Sequence, residues 1–89
     1  MMTNIGFGNF VASSRVVAVA GPDSAPIKRL VQDAKDAGIA VDVTCGRKTQ
    51  SVILTDSGHV ILSALTTRSL QRRLAGEVSD EKEEAEDEI

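Results

Sequence analysis

The chain has 89 residues, room for one hydrophobic core, and a formal charge of -3. A single cysteine and a single histidine exclude an internal disulfide and a structural metal cluster, and Phe7 and Phe10 are the only aromatic residues, too few for a base-stacking platform of the kind that reads single strands or RNA. The opening MMTNIGFGNF has no basic n-region or apolar h-region, and no apolar run approaches the roughly 18 residues of a membrane span, so a cytoplasmic protein without membrane contact is expected.

Residues 4–12 read as a strand weakened at Gly6 and Gly8, and Val16 to Ala20 as a short buried strand that stops at Gly21 and Pro22. Ser24 is a hydroxyl N-cap, and Pro26 falls in the first helical turn, where a missing N–H costs nothing. Ile27, Leu30, Val31, Ala34 and Ala37 then recur at steps of three and four, the stripe of an amphipathic helix, and Gly38 supplies its left-handed stop. Ile39, Val41 and Val43 alternate with Ala40, Asp42 and Thr44 as in a half-exposed strand. After a loop at 46–50, Ser51 to Thr55 and residues 59–64 form a hairpin about Asp56, Ser57 and Gly58. Thr66 or Thr67 caps a short C-terminal helix in which Leu70 and Leu74 share a face, with Arg68, Arg72 and Arg73 largely elsewhere. The order β-β-α-β-β-β-α predicts an α+β fold built on a small, largely antiparallel sheet.

Charge divides the chain into two regions. Residues 1–76 hold nine bases and five acids, a formal +4, whereas 77–89 carry eight acids against Lys82, a formal -7. The body is expected to be the folded domain and the tail a disordered or fraying segment, since a run of like charge buries nothing to offset its ordering. Alternatively the tail competes with nucleic acid for the basic body. A domain this small leaves much of its apolar surface wet, and with neither disulfide nor metal to help, self-assembly is the expected support.

Chemistry finds little foothold. His59 has no second histidine or suitably spaced cysteine with which to share a metal, and Cys45, although Arg47 and Lys48 follow closely, has no histidine base nearby in sequence; packing as a small hydrophobe at a strand end is its expected role. There is no GxGxxG or GxxxxGK[ST], and Asp23 occupies the electrostatic niche at the start of the helix. No catalytic residue, cofactor, metal or small-molecule substrate is expected, and the chain does not read as an enzyme. What remains is basic: Arg15 before a strand, and Arg47 and Lys48 together in a loop flanked by Gly46, Thr49 and Gln50. Arginine grips phosphate or a guanine edge bidentately, lysine acts as a point charge, and Thr49 and Gln50 can hydrogen-bond phosphate or base edges. Taken alone, two adjacent bases in an exposed turn are more often simply solvated.

Beyond these individual readings, NIGFGN at 4–9, GPDSAPIKR at 21–29, GRKT at 46–49 and DSGHVILSA at 56–64 together resemble the RemA family of bacterial regulators, over nearly all of the body. The resemblance implies a LytTR-like fold and a DNA-binding transcriptional regulator of extracellular-matrix and biofilm genes, assembled as a homo-oligomeric ring. It also implies double-stranded DNA contacts at Arg15, Arg47 and Lys48. Gln50 stands where relatives often have a further base, Cys45 where they often have an aromatic, and Ser14 in place of Asn. The alternative is a non-DNA scaffold or anti-regulator that offers the Gly46 loop to an acidic protein partner.

Overall fold

A computed structural model describes residues 1–76. The acidic segment 77–89, and with it the expectation of a disordered or fraying tail, lies outside the described residues. Residues 4–12, expected as one strand, are instead parts of a hairpin: β1 (Met2–Gly6) pairs antiparallel with β2 (Asn9–Ala12), Asn4 opposite Phe10. The reversal is made by Gly6, Phe7 and Gly8, all at positive φ, so the glycines read as weak points are the turn itself. A single 3-10 turn, Ser13–Arg15, leads into β3 (Val16–Ala20).

Helix α1 (Ala25–Ala37) follows the sequence closely. Ser24 Oγ accepts the Ile27 N–H at 3.3 Å, proline sits in the first turn, and Gly38 at φ 75 ends the helix while the Ile39 N–H returns to the Ala34 carbonyl at 3.0 Å. Three further strands, β4 (Ala40–Asp42), β5 (Ser51–Thr55) and β6 (Val60–Ser63), join β3 in a sheet of order β3-β5-β6-β4. The β3-β5 and β5-β6 pairs are antiparallel, and β4 lies parallel to β6. The class is α+β with a largely antiparallel sheet, as expected, and the order is β-β-β-α-β-β-β-α.

Alternation along β5 and β6 divides the core in two. Val52, Val60 and Leu62 face α1 and pack with Ala34, whereas Ile53 faces the other way and packs with Ile5, Leu65 and Leu70 beneath the hairpin and α2 (Thr67–Leu74). The Ser63 hydroxyl donates to the Ile5 carbonyl at 2.9 Å and ties hairpin to sheet. Thr66 proves to be the cap of α2, its Oγ1 accepting the Ser69 N–H at 3.1 Å.

Two expectations are corrected. Ile39 and Val41 are exposed rather than turned inward, because in the three-residue edge strand β4 it is the intervening Ala40 that packs with Ala34 of α1. Arg73 is 2% exposed, not on the solvated face of α2: it lies between α2 and the hairpin, where its Nη1 donates to the Asn4 carbonyl at 3.2 Å. Among the described residues no helix is long and apolar enough to cross a membrane.

Candidate nucleic-acid interface

The basic loop begins with a side-chain staple. The Asp42 carboxylate accepts both the backbone N–H of Thr44, at 2.9 Å, and its hydroxyl, at 2.7 Å, and Thr44 is buried. These bonds, the Thr44 hydroxyl first, hold the Asp42 carboxyl below its ordinary value of 3.8, and the nearby Lys35 ammonium acts in the same direction. The Arg47 N–H then returns to the Thr44 carbonyl at 3.0 Å across Cys45 at φ 53 and Gly46 at φ 81. Two left-handed central residues make this a type I′ turn. Cys45 is therefore exposed in the turn and not packed at a strand end as expected.

Beyond the turn, the Gln50 N–H donates to the Ser63 carbonyl at 2.8 Å and fixes the loop to the sheet again. Arg47 and Lys48 stand exposed between these two anchors. The Arg47 guanidinium carbon lies 5.5 Å from the centre of the Phe7 ring, so the loop meets the hairpin tip on one side. On the other side Thr49 lines a cleft against α1 together with Lys28, Gln32 and Lys35. Lys28 and Lys35 thus extend the basic surface around this end of the sheet. Their spacing on the helix was visible in the sequence, but their position beside Thr49 depends on how α1 packs.

Arg15 is elsewhere. Val16 pairs with Thr55, so Arg15 meets the far end of β5, where its Nε donates to the Asp56 carboxylate at 2.8 Å and its carbonyl accepts the Asp56 N–H at 2.9 Å. The loop Arg47 to Gln50 precedes the near end of the same strand. At about 3.4 Å per residue, the five steps from Ser51 to Asp56 span roughly 17 Å, so the two basic positions lie at opposite ends of that strand. The structure brings Arg47, Lys48, Thr49 and Gln50 together and holds Arg15 apart from them.

His59 shares the Asp56 turn, its Nδ1 2.8 Å from the Ser57 hydroxyl, which in turn lies 2.9 Å from Thr55 Oγ1. Its observed contacts are those of a turn. Among the described residues no group of three or more His, Cys, Asp or Glu is placed to hold a metal ion.

A family model described as RemA-like, extracellular matrix regulatory protein A-like, matches residues 2–74. A protein of Halothermothrix orenii, called a regulatory protein by name, is 55% identical over 76 residues, which span 85% of this chain and 90% of its own length. Similarly named proteins of Nitratidesulfovibrio vulgaris and Clostridium botulinum are 54% identical over 79 residues and 51% over 80, spanning 89% and 90% of this chain and 92% and 88% of their own lengths. With nearly its whole body matched, the chain belongs to the RemA-like family of regulatory proteins.

Proposed function

We propose that this protein is a cytoplasmic, DNA-binding transcriptional regulator of matrix and biofilm genes that works as a homo-oligomeric ring. The observation that carries the reading is the stapled turn, which presents Arg47 and Lys48 side by side in solvent, anchored at Asp42 and at Gln50. A preorganised loop gives up less freedom on binding than a mobile one. Lys48 grips phosphate, Arg47 reaches a guanine edge, Thr49 and Gln50 offer hydrogen bonds beside them, and Arg15 supplies a separate backbone contact from the other end of β5.

A few cations per chain bind DNA weakly at physiological salt, and repetition around a ring sums them. Both open edges of the four-stranded sheet favour assembly, since β3 exposes Val17 and β4 exposes Val41, with Ile39 just before it. Between α1 and the sheet runs an apolar groove lined by Val17, Leu30, Ile39, Leu54 and Val60. Two different edges suit a head-to-tail contact, the kind that closes into rings.

The test is a mobility shift on genomic DNA fragments over a salt series. Binding is expected to weaken steeply with salt, and Arg47→Ala or Lys48→Ala to abolish it at about 150 mM salt while solution mass is unchanged. Parent-like binding by both variants overturns the assignment of the loop. No retardation even at low salt, together with an acidic protein that co-purifies through the same loop, would establish the scaffold reading instead.

A further inference from the structure

We propose that Phe7 is a positioning residue for DNA recognition: its ring holds the Arg47 guanidinium in one orientation, ready for a bidentate contact with a duplex. The proposal rests on the DNA-binding reading of the loop.

Three observations converge on it. The guanidinium carbon of Arg47 stands 5.5 Å from the Phe7 ring centre, within the range of a cation–π contact. Among the described residues, the non-glycine positions at positive φ are Phe7 and Cys45, both at 53°, and they lie on the two sides of this contact. An aromatic residue is poorly suited to that conformation, which Asn or Gly adopts more readily, and such outliers gather where function holds them. The tip that carries Phe7 is also braced: the Gly6 N–H donates to Asn4 Oδ1 at 2.8 Å, and Asn9 Nδ2 donates to the carbonyls of Gly6 and Phe7 at 3.0 and 3.3 Å. The segment NIGFGN is therefore a rigid mount for one ring.

The chemistry follows from the shape of the guanidinium. Its N–H donors fan out in its plane, so a ring that holds the central carbon from one side leaves donors available to guanine O6 and N7. A long side chain already confined by the ring has less rotameric freedom to lose on binding. Lysine cannot replace arginine here, because it has neither the plane nor the fork.

The test uses the full chain and a duplex selected from a random pool by the parent protein, with a scrambled duplex for comparison. Phe7→Leu keeps apolar bulk and removes the aromatic face. It is expected to bind the selected duplex about fivefold more weakly, the loss of one cation–π contact, with an unchanged salt slope because no charge is lost. Binding to the scrambled duplex, the melting temperature and the solution mass should stay as in the parent, and Phe7→Tyr should restore selectivity. Arg47→Lys should reproduce the loss, and Phe7→Leu added to it should cost nothing more. In the absence of DNA, the ring-current shift of the Arg47 Nε–H resonance should vanish in Phe7→Leu and persist in Phe7→Tyr. Undiminished selectivity in Phe7→Leu, or an equal further loss on the Arg47→Lys background, overturns this proposal and leaves the DNA reading intact. A parent that selects no duplex at low salt overturns both, even where the resonance shift demonstrates the Phe7–Arg47 contact.

Discussion

Asp42 and Cys45 set the shape of the basic loop from opposite directions. The Asp42 carboxylate is stabilised by Thr44, so its folded-state pKa lies below the value of the unfolded chain. A depressed carboxylate contributes stability above about pH 4, and the contribution is lost as pH falls through the folded value. Amide exchange at Thr44 should accordingly accelerate below about pH 4 in the parent and be independent of pH in that range in Asp42→Asn, once intrinsic exchange rates are subtracted. Cys45 works against the turn, because its φ of 53° is adopted more readily by Asn or Gly. Cys45→Asn should stabilise the protein by about 0.5–1 kcal/mol, seen as a later urea midpoint with the same slope. The charges of this site were legible in the sequence, since Gly46, Arg47 and Lys48 are contiguous. The setting of Cys45 was not: the alternation through Thr44 continued a strand pattern, and it is the Asp42–Thr44 bonds and the Arg47 N–H returning to the Thr44 carbonyl that show the chain turns there. Phe7 could not be joined to Arg47 from sequence, because their contact spans 40 residues of chain.

Helix α1 was readable almost to the residue, because every signal that defines it is local: the Ser24 cap, the early proline, the apolar spacing and Gly38. Ser24→Ala should cost about 1 kcal/mol, measurable as a shift in the urea midpoint. The strands that depend on distant partners were less legible. β4 is parallel to β6 and open on its other side, and an alternating pattern does not say which face the fold will cover. In α2 the same limitation hid Arg73, whose burial depends on a hairpin almost 70 residues earlier in the chain. Leu70, fully buried on α2 against Ile5 and Ile53, is the residue on which this layer depends. Leu70→Ala should cost about 2–5 kcal/mol and expose the hairpin to early proteolysis, whereas Arg72→Ala on the same helix should change stability far less.

For the molecule as a whole, both proposed activities depend on surfaces that a single chain leaves open. Placing a charge on one sheet edge, as in Val17→Lys or Val41→Lys, should lower the solution mass and weaken DNA binding together, although neither residue belongs to the basic loop. Removal of residues 77–89 changes the formal charge from -3 to +4. If the tail competes for the basic surface, the shortened chain should bind DNA more tightly at low salt, with the gain fading as salt rises. The length of β5, with a basic site at each end, adds a length scale. Roughly 17 Å along β5 corresponds to about five base pairs of B-form DNA, half a helical turn. Should both ends of that strand touch one duplex, β5 would act as a ruler, each chain marking two backbone positions half a turn apart. Hydroxyl-radical cleavage should then reveal paired protections at that spacing, and Arg15→Ala should erase one member of each pair while leaving the other in place.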